Sequence, residues 1–287
     1  MNKILNNYFL FLFVLIPISI LVGSSVSLIN VILIDLSFVI LLIYKKDFSF
    51  FKSKVVQYLL VFYLYLIFNS IISLNAELGL LRNLGFIRIV ILFIALNYFL
   101  KDNLFKKQLM FSWLLIISIV VFDVFFEKFN GTNLLGFPEI EEGTASYGQR
   151  LVSFFKDEPI VGGFIYSFFL MLVGFLFDNI KKKNFFLIIL TIVFFVSIFV
   201  TGERANTIKA CLGVFIFFIF LKDVNIKAKL ASIIIILISL TAVINKSEYF
   251  KLRYVYQIKS HLTVGESYYL HIYGSGLDVF KNYPLFG

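Results

Sequence analysis

Charged residues that suit anion chemistry stand at two places in an otherwise apolar chain. Glu203 and Arg204 lie in the short turn Thr-Gly-Glu-Arg between two long apolar runs, and Arg150 lies in a polar segment ahead of another run. A glutamate in the first turn of a helix suits the positive end of the helix dipole, but an arginine does not. A cation beside free backbone N–H groups is favourable when an anion binds between them. The pattern therefore predicts an anion site at Arg204, with a structural Glu203–Arg204 ion pair as the alternative.

Further polar residues at or inside the apolar runs extend this candidate set. Arg88 lies near the start of one run, and Lys209 lies about a turn and a half beyond Arg204. Charges at membrane depth are costly unless they are paired or reach the interface, which makes both residues candidate anion ligands. For Lys209 the alternative is a side chain that snorkels to the interface. Asp35 and Asp123, which lie inside apolar runs, are predicted to be internal hydrogen-bond partners.

The segment around Glu158 has the features of a helix start. Asp157 and Glu158 come directly before Pro159, and acids favour a helix N-terminus while proline favours its first turn. Capping therefore explains both acids, but it does not explain Arg150, which lies earlier in the same loop. As general bases, Glu203, Glu158 and His271 are the candidates, in that order.

The elements that must position these residues follow from composition. The chain has 287 residues, of which 60% are hydrophobic and 15% charged, and its mean hydropathy is +0.95. No soluble domain has enough interior for so much apolar surface, so the surrounding solvent must be lipid. The sequence predicts an all-α polytopic membrane protein with about nine transmembrane helices, because most apolar runs approach the ~20 residues that span the hydrocarbon. The predicted spans are 8–22, 26–44, 55–74, 84–100, 109–126, 159–177, 184–200, 205–221 and 230–245.

Lysine-rich loops set the predicted orientation of this bundle. With nine spans, the loops that contain lysines at 45–54, 101–107, 181–183 and 222–229 fall on the same side as Lys3. Cytoplasmic loops carry the excess of lysine and arginine, so this side and the N-terminus are predicted to be cytoplasmic. The net charge of +9 follows from this topology and does not indicate a nucleic-acid partner.

Two long segments, 127–158 and 246–287, are then predicted on the outer face. Loops of this length are usually functional or disordered, and the aromatic and charged residues in these two segments predict folded pieces at the membrane surface. We therefore interpret 1–245 as a transmembrane bundle that includes the outer loop 127–158, and 246–287 as the start of a large outer loop. Leu270, Tyr273, Leu277 and Phe280 recur at helical spacing. They predict an interfacial helix over 268–282 that roofs a cavity above Arg150 and Arg204.

Several kinds of chemistry are excluded by what the sequence lacks. The single cysteine, Cys211, excludes intramolecular disulfides and cysteine-based metal clusters. The sequence has no P-loop and no dinucleotide-binding fingerprint. We therefore predict no cofactor and no metal.

Three segments resemble a known family of membrane enzymes. The stretches GQRLVSFFKDEPIVGGF, FVTGERANTIKACLGVF and LDVFKNYPLFG, in this order and at these spacings, resemble the O-antigen ligase and polymerase superfamily. Its members are integral membrane glycosyltransferases of cell-surface polysaccharide assembly. The resemblance covers residues 150–287, whereas the earlier spans agree only in number and hydropathy.

The resemblance implies a site and a reaction. The family fold has about twelve spans and transfers a glycan from a polyprenyl-diphosphate donor to a lipid or glycan acceptor. Transfer takes place on the outer face of the bacterial cytoplasmic membrane, without a metal or a nucleotide sugar. Arg150 and Arg204 match the two outer-face arginines that hold the diphosphate, and a guanidinium suits phosphate oxygens bidentately. Arg88 and Lys209 would line the same site, and membrane lipids are the surrounding partners.

The sequence departs from the family pattern at its end. The family's catalytic histidine, usually followed by asparagine, lies beyond the Pro-Leu-Phe-Gly segment, and this chain stops at Gly287. His271 precedes that segment and does not match by position. We interpret the chain as a fragment or a truncated copy. A transporter or flippase for a lipid-linked or anionic solute, and an inactive homologue, are the alternative functions.

Overall fold

The structure is a computed structural model that describes residues 3–73, 75–137, 140–141, 149–156, 158–179, 184–220, 226–259 and 268–284. The predicted all-α class is confirmed, because the described strands are only two-residue segments. Strand β1 (Ile140–Glu141) pairs antiparallel with β2 (Gln149–Arg150), with Ile140 opposite Arg150.

The helices follow the apolar runs. In chain order they are α1 Lys3–Val22, α2 Ser24–Lys45, α3 Lys54–Ile72, α4 Ala76–Leu84, α5 Ile87–Phe99, α6 Asn103–Asn130, α7 Val161–Asn179, α8 Asn184–Val200, α9 Arg204–Phe220, α10 Ile226–Lys246, α11 Glu248–Lys251 and α12 Tyr268–Asn282. A π-helical turn, Leu252–Tyr256, continues directly from α11. Short 3₁₀ turns occupy Ser49–Lys52 and Ser153–Phe155.

The described helices make this a multi-pass membrane protein. Within that part of the chain, 6 helical segments are long and apolar enough to cross a membrane: α1, α2, α3, the pair α4–α5, α6 and α7. The apolar part of α8, Leu187–Val200, is shorter. Length and hydropathy therefore identify fewer spans than the nine predicted.

The predicted span 84–100 corresponds to α5, and the short helix α4 precedes it with a break at Gly85 and Phe86. The Asn83 side chain donates hydrogen bonds to the Leu66 carbonyl at 3.2 Å and to the Ser70 hydroxyl at 2.6 Å. A Cβ at Gly79 would lie 3.3 Å from Ser70, so α4 packs closely on the end of α3. These contacts fix α4 against α3 before α5 begins.

The chain forms two compact units, of which the first comprises residues 1–113. Its core is aromatic: the Phe99 ring lies 4.3 Å from the Phe9 ring and 5.1 Å from the Phe105 ring, measured between centroids. The Trp113 indole N–H donates to the Phe13 carbonyl at 2.9 Å. Apolar burial and this buried hydrogen bond hold α1, α5 and the start of α6 together.

The second unit, residues 114–285, contains most of the predicted site. Helix α7 packs against both α8 and α9, and its inner face is apolar, with Ile165, Phe169 and Leu172 buried. A Cβ at Gly213 of α9 would lie 2.5 Å from Leu170. The small residue Gly213 therefore allows the Leu170 side chain of α7 to pack directly on α9, and small residues are common at contacts between membrane helices.

Candidate anion-binding site at the α8–α9 turn

The turn between α8 and α9 has the local structure that its sequence predicts. Gly202 has φ +78°, a left-handed conformation that glycine adopts without steric cost, and it ends α8 as expected. The Thr201 hydroxyl donates to the Ile198 carbonyl at 2.7 Å and accepts a hydrogen bond from the Glu203 N–H. Arg204 is the first residue of α9. The turn therefore presents Glu203 and Arg204 at the N-terminus of a helix.

Glu203 caps a different helix. Its carboxylate accepts hydrogen bonds from the backbone N–H groups of Gly162 and Gly163, the latter at 3.1 Å, and from the Asn206 side chain. The first N–H groups of a helix lack intrahelical partners, so this carboxylate satisfies two of them in α7. Glu203 thereby fixes the N-terminus of α7 against the α8–α9 turn.

Two glycines make this approach feasible. A Cβ at Gly162 would lie 2.6 Å from the Thr201 hydroxyl oxygen and 2.9 Å from a Glu203 carboxylate oxygen. A Cβ at Gly163 would lie 3.0 Å from the Asn206 side chain. The Gly-Gly pair at the end of the GQRLVSFFKDEPIVGGF motif therefore serves close packing.

The start of α7 differs from the predicted one. The helix begins at Val161, after Pro159, and its cap comes from Glu203. Glu158 is exposed, and its side chain forms no hydrogen bond within the described residues. Asp157 lies outside the described residues. The residue that caps α7 is therefore distant in the sequence and is brought to the helix by tertiary packing.

The environment of Glu203 perturbs its acidity. Burial raises the pKa of the Glu203 carboxyl above its usual value, and this effect outweighs the hydrogen bonds from Asn206, Gly162 and Gly163 and the positive charge of Arg150, all of which lower it. The charge of Arg150 therefore acts on the Glu203 carboxyl.

Two fully buried acids on α6 hold the segment that carries Arg150. Glu127 accepts hydrogen bonds from the N–H groups of Val152 at 3.0 Å and Ser153 at 2.7 Å. Asp123 accepts from the Ser153 hydroxyl at 2.6 Å and from the Leu134 N–H at 2.7 Å. The prediction that Asp123 is an internal hydrogen-bond partner is confirmed, and Glu127 is an addition that the sequence analysis missed.

Arg204 has a setting suited to an external anion. It is half-buried, and within the described residues its guanidinium takes part in no hydrogen bond or ion pair. Its positive charge acts on the Tyr254 hydroxyl. The alternative of a structural Glu203–Arg204 ion pair is therefore absent from the described part of the chain.

A buried arginine beneath the turn was not predicted. Arg253 is 2% exposed, and its Nε donates to the Gly202 carbonyl at 2.9 Å while Nη1 donates to Gln257 at 3.0 Å. The Tyr254 hydroxyl donates to the Phe199 carbonyl at 2.8 Å and lies 3.0 Å from the Thr207 hydroxyl. Both residues lie in the π-helical turn, a rare element that often occurs at functional sites. The only sequence signal was an arginine among aromatic residues after the last apolar run.

The remaining predicted residues are less closely associated with the turn. Lys209 is exposed, with its Nζ 3.5 Å from the Asn206 amide oxygen. His271 is exposed on α12. Arg88 is exposed in the first unit, where it interacts electrostatically with Asp35 of α2. Asp35 is buried, and contrary to expectation neither of its carboxylate oxygens accepts a hydrogen bond within the described residues.

Comparison with known proteins returns no relative. The described residues contain no group of three or more His, Cys, Asp or Glu side chains that could hold a metal ion. The chain matches no protein-family model, no curated protein and no solved structure. The function is therefore argued from the geometry around Arg204 and from the sequence motifs.

Proposed function

We propose that this protein is a membrane glycosyltransferase of the O-antigen ligase or polymerase type. It transfers a polyprenyl-diphosphate-linked glycan to a lipid or glycan acceptor. The observation that carries the proposal is the half-buried Arg204 guanidinium at the N-terminus of α9, with the charge of Arg150 acting on the adjacent Glu203. A helix N-terminus and two guanidinium groups suit a diphosphate.

The proposal includes a topology. Helices α8, α9 and α10 cross the membrane in addition to the segments that length and hydropathy identify, which gives nine spans. The N-terminus is cytoplasmic, and 127–158 and 246–287 lie outside the bacterial cytoplasmic membrane. The lysine-rich loops support this orientation.

In the proposed reaction, Arg150 and Arg204 bind the diphosphate and neutralise the charge that develops as it leaves. The hydroxyl of the acceptor attacks the anomeric carbon of the donor, the bond from that carbon to the diphosphate oxygen breaks, and the hydroxyl proton passes to a base. Both Glu203 oxygens already accept hydrogen bonds from α7. We therefore assign Glu203 a positioning role in addition to its predicted role as base, and Lys209 a place at the edge of the site.

The proposal is tested by removing the guanidinium groups. We expect Arg204→Ala and Arg150→Ala each to abolish polysaccharide transfer and to weaken binding of a polyprenyl diphosphate by the purified protein. Arg204→Lys should restore activity only partly, because an ammonium cannot form the bidentate contact. Arg82→Ala, which removes an exposed arginine at the end of α4, is the matched control and should leave both measurements unchanged. Normal surface polysaccharide with Arg204→Ala would contradict the proposal.

A transporter for a lipid-linked anion is the second candidate function. Asp35 favours it, because an ionisable residue buried inside a membrane helix often lies on a transport pathway. Proteoliposomes that contain a lipid-linked glycan distinguish the two functions. A transferase releases free lipid diphosphate when an acceptor is added, whereas a flippase moves the donor between leaflets without breaking its glycosidic bond.

A further inference from the structure

Helix α12 has its apolar and polar side chains on opposite halves. At about 100° per residue, one half of the helix circumference contains Leu270, Ile272, Tyr273, Leu277, Val279 and Phe280. The other half contains His271, Gly274, Ser275, Asp278, Lys281 and Asn282. We call these the apolar half and the polar half. No residue with a charged side chain interrupts the apolar half.

The apolar half is open to the surroundings. Tyr273 is 69% exposed, Phe280 62% and Leu277 58%, and no other described element packs extensively against α12. A contiguous exposed apolar face that is bordered by polar residues marks a binding surface.

We propose that α12 lies flat in the membrane–water interface, with its apolar half in contact with lipid and its polar half facing water. At 15 residues the helix is about 22 Å long. It is therefore too short to cross a hydrocarbon core of about 30 Å. Other helices of the chain already establish it as a multi-pass membrane protein, so α12 is tethered to a bilayer.

The shape and residue types of the apolar half favour lipid over a partner helix. An apolar stripe that packs on one neighbouring helix is narrow, whereas this one covers about half the circumference. Tyr273 lies within it, and tyrosine is enriched at the level of the lipid headgroups because its ring is apolar and its hydroxyl polar.

The charges of α12 indicate which lipids it contacts. Asp278 and Lys281 lie on the polar half one turn apart, with 4.0 Å between the lysine nitrogen and a carboxylate oxygen. They cancel each other, so the helix offers no excess positive charge to anionic headgroups. Its attachment depends on apolar contact and is independent of anionic lipid.

The experiment measures the two halves separately in the full chain. Cys211→Ser removes the single cysteine, and Leu277→Cys or Ser275→Cys then places a nitroxide label on the apolar or the polar half. The protein is reconstituted in nanodiscs of phosphatidylcholine, with and without phosphatidylglycerol. Collision rates with molecular oxygen, which concentrates in lipid, and with a water-soluble nickel complex are compared at each position.

For each label, the collision rate with oxygen is divided by the collision rate with the nickel complex. We expect this ratio to be several-fold higher at 277 than at 275 in both lipid mixtures. A label at 277 that nickel reaches as easily as at 275 would overturn the proposal. So would a label at 277 shielded from both reagents, because a protein surface would then cover the apolar half. The readout needs no enzyme activity and does not depend on the proposed function.

Discussion

The Glu203 carboxylate joins the start of α9 to the start of α7. It accepts hydrogen bonds from Gly162 and Gly163, which lie 41 and 40 positions earlier in the sequence. It satisfies the first N–H groups of α7, and its own position depends on Gly202 and Asn206. Because Arg204 follows it directly, the placement of the guanidinium depends on the cap. A residue that caps one helix therefore fixes a candidate ligand on another.

Gly162→Ala tests this close contact. The new methyl group would lie 2.6 Å from the Thr201 oxygen and 2.9 Å from Glu203, so we expect a loss of about 1–3 kcal/mol in the free energy of unfolding. Gly174→Ala in the same helix is the control, because its Cβ would have no atom within 4 Å and alanine favours a helix by about 1 kcal/mol. In thermal unfolding in detergent, the melting temperature should fall for Gly162→Ala and rise for Gly174→Ala. Equal melting temperatures would show that the packing is looser than described.

Glu127→Gln tests the anchor of the Arg150 segment. Glutamine has one acceptor oxygen, so one of the Val152 and Ser153 N–H groups would face an NH₂ donor. We expect the free energy of unfolding to fall by about 1–3 kcal/mol. Glu158→Gln, at an exposed residue, should have almost no effect. Chemical denaturation measures both, and an unchanged midpoint for Glu127→Gln would contradict the anchoring role.

The π-helical turn that follows α11 is attached to the turn that carries Arg204. Arg253 and Tyr254 of the π-helical turn donate to the carbonyls of Gly202 and Phe199. The Tyr254 ring also stacks on the Phe199 ring, with 4.8 Å between centroids. The C-terminal end of α8 and the segment 248–259 therefore behave as one packed element.

Tyr254→Phe isolates the hydroxyl contribution to this attachment. The ring stacking is kept, but the hydrogen bonds to Phe199 and Thr207 are lost, so we expect about 1 kcal/mol less stability. Amide hydrogen exchange in 248–259 should become faster. Tyr256→Phe, whose ring is 53% exposed, should leave exchange unchanged. An identical exchange rate in Tyr254→Phe would mean that the hydroxyl does not hold the segment.

At the scale of the whole molecule, topology determines where the site works. The lysine-rich loops predict that 181–183 is cytoplasmic and that 127–158 is outside. Because the site combines Arg150 with the α8–α9 turn, it would lie at the outer boundary.

Single cysteines test this orientation in cells. On a Cys211→Ser background, Thr144→Cys should react with a membrane-impermeant maleimide added from outside. Lys182→Cys should react only after the membrane is opened. The reverse pattern would contradict both the topology and the proposed outer-face transfer.

The sequence by itself determined the features that depend on local composition. The apolar runs set the helices, Gly202 set the end of α8, and the spacing of apolar residues placed a helix at 268–282, which is the observed extent of α12. These features follow from the length of a hydrophobic run, the conformational freedom of glycine and the helical period.

Only the tertiary structure decided which groups meet around the turn. Glu203, 41 residues later in the chain, caps α7, whereas the neighbouring Glu158 is exposed, and Glu127 holds a segment that lies 25 residues later in the chain. Arg253 reaches the Gly202 carbonyl across 51 residues. A buried N–H or carbonyl must find a partner, but the sequence does not say which distant side chain packing will bring to it.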